Sequence, residues 1–145
     1  MMTALVVDTS AIVASLDEAY AEHEAIAAIL ASDDGPLIVS PMVVAEADYM
    51  LYTRLGAAAA RRFAADVAAE AYDLAEWTAR DHAAALDVIN RSSDDSNYIG
   101  VADAANVVLA DRCRTTRILS LDQRHLRRLR PLWGADSFTL LPYDR

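Results

Sequence analysis

The sequence contains no lysine, because all 13 of its basic residues are arginine. This excludes P-loop nucleotide binding and Schiff-base chemistry, which need a lysine side chain, and it removes the phosphate-clamping lysine of most aspartyl-phosphate phosphatases. A single cysteine, Cys113, excludes an internal disulfide framework and a multi-cysteine zinc site. The chemistry of this protein must therefore come from other side chains.

Long apolar runs are also missing from the sequence. No stretch approaches the roughly 20 apolar residues of a transmembrane helix. The first apolar run, ALVV, ends at Asp8 and follows no positive charge, unlike a secretory signal peptide. With 145 residues, 54% hydrophobic and 24% charged, the chain suits one domain with a buried core. We expect residues 1–145 to form a single soluble, cytoplasmic domain without membrane association.

Glycine and proline are scarce, at four each, and no stretch resembles a linker. Short β-branched runs alternate with longer segments of helical periodicity. The predicted strands are 4–7, 37–39, 72–74, 118–121 and an edge-like 138–141. The predicted helices are 10–16, 19–32, 41–55, 57–70, 78–91, 98–113 and 122–129. This alternation predicts an α/β fold with a mostly parallel sheet, covered on both faces, whose functional crevice lies at the carboxyl ends of the strands.

Two aspartates follow predicted strands directly. Asp8 comes after strand 4–7, and Asp122 comes after strand 118–121, with Ser120 two residues before it. Since the carboxyl ends of parallel strands meet at one edge of the sheet, both acids are candidates for a functional site. Capping of the helix that follows is the alternative role for both residues.

Two further acids interrupt apolar helix surfaces. The neighbours of Glu46 three and four residues away are Met42, Val43, Tyr49 and Met50. We therefore expect the Glu46 carboxylate to be desolvated and in need of compensation, whereas Asp48 is an ordinary surface charge. The helix that carries Asp103 is apolar nearly all round and is interrupted by Asp103 and Asn106, which predicts a buried helix.

Four acids in one place would repel one another. Two like charges about 4 Å apart cost roughly 4 kcal/mol at an effective dielectric constant near 20. With no lysine available, a divalent cation is the natural compensation, and an all-oxygen ligand set favours Mg²⁺ or Mn²⁺ over zinc. The histidines, His23, His82 and His125, match no zinc spacing, and we expect them to be surface or hydrogen-bonded residues.

Four motifs carry a resemblance to a known family. They are VVDTSAIVA with Asp8, VVAEADYML with Glu46, IGVADAANVVLA with Asp103, and RILSLDQRHLRRLRP with Asp122. Each motif alone is weak, but their order and spacing cover essentially the whole chain. The sequence resembles the PIN-domain ribonucleases, specifically the VapC-type toxins of bacterial toxin–antitoxin modules.

The resemblance implies a three-layer α/β/α sandwich around a central parallel five-stranded sheet. It implies that Asp8, Glu46, Asp103 and Asp122 form the catalytic acidic quartet. Asp8 and Asp103 would bind the metal directly, and the other two directly or through water. Ser120 stands where the family usually has threonine. Thr9 or Ser10 would support Asp8, and Asn106 would orient Asp103 or contact a phosphate.

The resemblance also implies an activity and partners. The activity is Mg²⁺-dependent or Mn²⁺-dependent hydrolysis of RNA that leaves a 5′-phosphate and a 3′-hydroxyl, which inhibits translation and growth. The target would be tRNA or the sarcin–ricin loop of large-subunit ribosomal RNA. A VapB-type antitoxin would cover the active site. A homodimer is expected, through helices 41–55 and 57–70, with a heterotetramer or larger assembly when the antitoxin is bound.

The charge is unevenly divided along the chain. The net charge of −9 alone argues against a protein that coats nucleic acid. The first 110 residues carry a net −13, however, and the remainder carries +4. The candidate phosphate-binding residues beside Asp122 are Arg112, Arg114, Arg117, Arg124, Arg127 and Arg128. The alternative is a solvated basic helix face.

Two other functions fit parts of the pattern. A phosphatase of the aspartyl-phosphate type also begins with a strand that ends in aspartate. It normally has a second acid two residues later, where this chain has Ser10. A non-catalytic PIN-like interaction module generally lacks one or more of the acids, whereas all four are present here.

Overall fold

The computed structural model describes residues 3–144, in which short parallel strands alternate with helices. The strands are β1 (Leu5–Val7), β2 (Leu37–Val39), β3 (Asp73–Leu74), β4 (Arg117–Leu119) and β5 (Thr139–Leu141). The helices are α1 (Thr9–Leu16), α2 (His23–Ser32), α3 (Pro41–Leu55), α4 (Ala57–Ala68), α5 (Ala79–Ser92), α6 (Val101–Cys113) and α7 (Gln123–Leu126). The predicted order of strands and helices is confirmed.

The five strands form one parallel sheet in the order β3-β2-β1-β4-β5. Val6 in the central strand pairs with Ile38 on one side and Ile118 on the other. From β1 the chain goes to β2 on one side and returns later to β4 on the other, so the strand order reverses between β1 and β4. In open α/β sheets, the crevice at this reversal, outside the carboxyl ends of the strands, is where ligands bind.

Helices cover both faces of the sheet. Val6 and Ile118 point into a core that α5 and α6 complete, to which Val107 of α6 belongs. Leu5 and Leu119 point into a second core, which α1 to α4 close. This is the expected three-layer α/β/α sandwich, and the fold prediction is confirmed. Among residues 3–144, no helix is both long enough and apolar enough to cross a membrane.

Two helices begin later than the sequence predicts because polar side chains hold the preceding residues in turns. Asp17 accepts a hydrogen bond from the Ala19 amide at 3.0 Å, so α2 starts at His23 instead of residue 19. The Ser93 hydroxyl accepts a hydrogen bond from the Ile99 amide at 2.6 Å, and α6 starts only after Gly100. Helix α7 is a single turn that ends at residue 126 instead of 129. The other boundaries agree within two residues.

Candidate functional site

An open cleft of about 380 Å³ lies at the carboxyl ends of the central strands. Asp8, Glu46, Asp103 and Asp122 all line it, together with Thr9, Ser10, Tyr98 and His125. The four acids come from four separate segments: the ends of β1 and β4, the middle of α3, and the first turn of α6. The fold therefore brings together the quartet that was selected from the sequence.

Asp8 is buried, with 4% of its surface exposed, and both carboxylate oxygens accept hydrogen bonds. Ser120 Oγ donates to Oδ2 at 2.6 Å, and Asn106 Nδ2 donates to Oδ1 at 3.0 Å. Asp8 occupies the N-cap position of α1, but its side chain makes no capping hydrogen bond, so the capping alternative is wrong for this residue. Burial raises the pKa of Asp8 above its usual value, although the two donors oppose the shift.

Hydroxyl groups tie the end of β1 to the end of β4. Ser10 Oγ lies 3.2 Å from Ser120 Oγ and accepts the Leu121 amide at 2.9 Å. Ser120 Oγ in turn accepts the Asp122 amide at 3.0 Å. Ser10 thus supports Asp8 through Ser120. Ser120 in turn contacts both Asp8 and Asp122 and fixes their relative positions.

Asp103 is the third residue of α6, and its side chain is 14% exposed. Burial, with the nearby negative charges of Asp8 and Asp122, raises the pKa of Asp103 to about 7. His125 opposes this shift only in part. The expectation that Asn106 orients Asp103 is wrong, because the Asn106 amide donates to Asp8.

His125 is a cleft residue that the sequence pattern did not reveal. Its Nδ1 lies 3.0 Å from Asp122 Oδ2 and 3.5 Å from Asp103 Oδ2. Asp122 also accepts the His125 amide through Oδ1 at 3.2 Å, so Asp122 caps α7 as well as lining the cleft. The available signal was the three-residue spacing, which places both side chains on one side of the first helical turn. The expectation for His23 and His82 holds, because each has a hydrogen-bond partner.

Glu46 lies in the cleft, but the expectation that it is desolvated is wrong. The buried face of α3 is formed by Val43, Ala47 and Leu51, and Glu46 lies on the exposed side of that stripe. Tyr49, which the sequence placed on an apolar face, is 69% exposed. Asp48 is exposed, as predicted.

Three of the predicted phosphate-binding arginines lie far from the cleft. Arg117 is the first residue of β4, and it contacts Asp33 at the opposite end of the sheet. Arg112 is the penultimate residue of α6, about 14 Å along the helix from Asp103, and Arg114 follows the last residue. The expectation that the arginine-rich segment forms one rim beside the cleft is wrong for these three residues.

The other three candidate arginines lie on or just after α7. Arg124 is exposed beside His125 and donates to Asn97 Oδ1 at 3.2 Å. Arg127 binds both carboxylate oxygens of Asp144, at 2.7 and 2.8 Å. Arg128 lies 3.9 Å from an Asp94 oxygen. Arg124 and Arg128 thus keep guanidinium groups available near the cleft, whereas Arg127 is neutralised.

The donor set fits a divalent cation. Ligand atoms of Asp103, Asp122 and His125 all lie within 4.8 Å of one another. Within residues 3–144, Thr9 Oγ1 and Asn106 Oδ1 are buried without a hydrogen-bond partner. Because clustered carboxylates repel one another, a cation bound among them would stabilise the cleft. The cleft therefore contains an acidic cluster suited to a divalent metal.

These charges predict an unusual pH dependence for the metal-free protein. Folded Asp103 keeps its proton up to its pKa of about 7, whereas the unfolded chain releases it near 3.8. The folded state therefore binds more protons across this window, so its stability falls as the pH rises. In EDTA, we expect the melting temperature to be several degrees lower at pH 8 than at pH 5.5, and Asp103→Asn to reduce the difference. An equal or higher wild-type melting temperature at pH 8 would contradict this interpretation.

Comparison with known proteins agrees with this geometry. A model of the PIN domain family matches residues 5–130. The chain belongs to the PIN-domain family. It is 43% identical over 138 residues to ribonuclease VapC26 of Mycobacterium tuberculosis. The aligned region covers 95% of this chain and 100% of VapC26. The expected relationship to VapC-type ribonucleases is confirmed, and with it the expected class of enzyme.

Solved structures show the same fold. VapC20 of Mycobacterium tuberculosis, described as a toxin that cleaves the sarcin–ricin loop, matches with a TM-score of 0.74 and 22% identity. The match covers 83% of this chain and 92% of VapC20. VapBC2 of Rickettsia felis, bound to a promoter DNA fragment, matches with a TM-score of 0.65 and 13% identity, over 90% of this chain and 96% of that chain.

Proposed function

We propose that this chain is the toxin of a VapBC-type module and hydrolyses RNA phosphodiester bonds at the quartet Asp8, Glu46, Asp103 and Asp122. The observation that carries the proposal is the convergence of these four acids, from four segments, on one cleft of a VapC-type PIN domain. An aspartyl-phosphate phosphatase is excluded by the family. The complete quartet argues against a non-catalytic module. The unit that acts is the single domain 1–145.

The side chains of the cleft have different roles in binding the metal. Asp8 and Asp103 are the principal ligands, because both are largely buried and need charge compensation. Ser120 keeps Asp8 oriented through its 2.6 Å hydrogen bond. His125 holds the Asp122 carboxylate at 3.0 Å, and the exposed Glu46 contributes from α3 directly or through water.

The metal is Mg²⁺, for which Mn²⁺ can substitute. Carboxylate, amide and hydroxyl oxygens suit these ions, and the acids of the cleft supply the negative charge. When bound, the ion lowers the pKa of a water molecule and neutralises charge on the phosphate. The nitrogen of His125 adds a donor that Mn²⁺ accepts more readily than Mg²⁺ does.

RNA approaches the cleft from the side of α7. The Tyr98 side chain is 65% exposed at the cleft and offers a ring on which a base can stack. Arg124 is placed to contact a phosphate next to the scissile bond, and Arg128 to contact a phosphate farther along the strand. Arg112, Arg114, Arg117 and Arg127 are not part of this proposal. The strong negative charge of the first 110 residues repels RNA elsewhere.

A VapB-type antitoxin is the proposed protein partner, covering the cleft and neutralising the toxin in the cytoplasm. A homodimer is proposed to form through α3 and α4, and with antitoxin a heterotetramer or larger assembly. Tyr49, Tyr52 and Leu55 of α3 are 69%, 60% and 40% exposed, and exposed apolar side chains of this size are typical of interaction surfaces.

Mapping RNA 5′ ends after brief expression tests the proposed function. We expect a small set of new ends, each with a 5′-phosphate, in tRNA or in the sarcin–ricin loop of large-subunit ribosomal RNA. The matched control is Asp8→Asn, which should produce none of them because a principal metal ligand is removed. New ends that carry a 5′-hydroxyl, or ends that persist in the Asp8→Asn variant, would overturn the proposal.

A further inference from the structure

A second cavity, separate from the acidic cleft, is lined by basic residues. It is open, has a volume of about 370 Å³, and is bordered by the end of α5 and the segment that follows α7. Three arginines line it: Arg91, Arg128 and Arg130. Such a concentration of guanidinium groups contrasts with the net charge of −9 of the chain.

Little negative charge opposes these arginines. Arg91 and Arg130 are exposed, and neither forms a salt bridge with any residue in the part of the chain that the structure describes. Arg91 Nε donates to the backbone oxygen of Asp87, at 3.3 Å. Arg128 has a distant interaction, at 3.9 Å, with Asp94, whose side chain is 60% exposed. The cavity therefore keeps uncompensated positive charge.

Apolar side chains also line part of the cavity. Val88 and Leu129 are buried, and Leu132 is 39% exposed. An apolar surface next to guanidinium groups suits a ligand that has a planar or sugar portion beside an anionic group. The volume lies within the range of small-ligand sites. Guanidinium forks match phosphate oxygens, so the chemistry is that of a nucleotide unit in a nucleic acid.

The basic cavity and the acidic cleft share structural elements. Ser92 lines the cavity, and the segment that begins there leads to Tyr98 and Gly100, which line the cleft. His125 in the cleft is only three residues from Arg128 in the cavity, a separation of at most about 11 Å along the chain. A single strand that enters the cleft can therefore reach the cavity within a few nucleotides.

We propose that Arg91, Arg128 and Arg130 form a phosphate-binding subsite that holds the RNA substrate away from the scissile bond. The proposal rests on the ribonuclease function proposed above and extends it to how the strand is held. This subsite fixes the direction of the strand across the segment between α5 and α6. It contributes to substrate binding and does not touch the reacting phosphate.

The test compares two double variants with the same change in net charge. Arg91→Gln/Arg130→Gln removes the two free guanidinium groups of the subsite. Arg80→Gln/Arg114→Gln removes two exposed arginines that line neither the cavity nor the cleft and lie outside α3 and α4, and it serves as the control. Binding is measured by the fluorescence anisotropy of a labelled 12-nucleotide single-stranded RNA in EDTA, and cleavage of RNA is measured separately with Mg²⁺.

We expect Arg91→Gln/Arg130→Gln to weaken RNA binding at least about tenfold and to raise KM with kcat unchanged. A plot of log affinity against log salt concentration has a negative slope. The magnitude of this slope should decrease by about 0.7 for each RNA phosphate that the variant no longer neutralises. The Arg80→Gln/Arg114→Gln control should bind like the wild type. Equal weakening by both double variants would show a net-charge effect only, and an unchanged affinity would show no subsite; either result overturns the proposal.

Two other outcomes separate this proposal from related ones. Loss of antitoxin binding by Arg91→Gln/Arg130→Gln, with RNA affinity unchanged, would assign the cavity to an acidic peptide and contradict an RNA subsite. If the wild-type protein with Mg²⁺ cleaved no RNA, the proposed function itself would fail. An active wild type with an unaffected double variant would refute the subsite alone.

Discussion

Replacing Asp103 with asparagine is expected to reduce RNA cleavage at least about a thousandfold while the protein stays folded. Asp103 is mostly buried beside other carboxylates, and its charge is needed to hold a divalent cation among them. Loss of about 4 kcal/mol of the charge stabilisation that a bound metal supplies corresponds to this factor. Cleavage of RNA and growth after expression are the measurements. Undiminished toxicity from a well-expressed Asp103→Asn variant would refute the metal-nuclease mechanism.

Stability measurements separate this loss of activity from misfolding. The neutral amide of Asp103→Asn cannot repel Asp8 or Asp122, so the metal-free variant should melt at a higher temperature than the wild type at pH 8. Asp48→Asn is the matched control, because Asp48 is an exposed aspartate of α3. It should keep both the activity and the melting temperature of the wild type. A variant that gains stability and loses cleavage indicates a residue retained for function.

The fold was largely predictable because its signals are local. Short β-branched runs such as residues 37–39 predict strands, and Ser40 before Pro41 marks the start of α3, where Ser40 Oγ accepts the Val43 amide at 3.0 Å. The late starts of α2 and α6 were not predictable from periodicity. They depend on individual side-chain hydrogen bonds, those of Asp17 and Ser93.

The acids of the cleft were predictable to different degrees. Asp8 and Asp122 follow strands, and the geometry of a parallel sheet brings such positions together. Asp103 interrupts an apolar helix, which indicated burial correctly. The desolvation expected for Glu46 was wrong, because Tyr49 and its other apolar neighbours do not all face the core. The PIN-domain resemblance, not desolvation, correctly placed Glu46 in the cleft.

His125 and the arginines depend on three-dimensional placement that the order of residues does not supply. The role of His125 depends on the orientation of α7 over the cleft, which no spacing of histidines reveals. Arg117 and Arg124 are seven residues apart, yet one strand separates them onto opposite ends of the sheet. Because the prediction counted arginines that are close in sequence, it assigned too many of them to the rim of the cleft. It also missed Arg91, which lines the second cavity from α5.

Removal of divalent metal is expected to have an effect as large as the loss of Asp103. Without a cation, the carboxylates of the cleft repel one another and also repel an incoming phosphate. EDTA should therefore reduce cleavage to background, and excess Mg²⁺ or Mn²⁺ should restore it. EDTA that has been saturated with Mg²⁺ beforehand is the control for effects of the chelator itself.

The most direct test of the central claim is this restoration assay, performed in parallel on the wild-type protein and Asp103→Asn. The claim is that the acidic cleft catalyses RNA hydrolysis through a bound divalent ion. It predicts that wild-type cleavage stops in EDTA and returns with Mg²⁺ or Mn²⁺, whereas Asp103→Asn stays inactive with either ion. Wild-type cleavage that continues at the same rate in excess EDTA would contradict it.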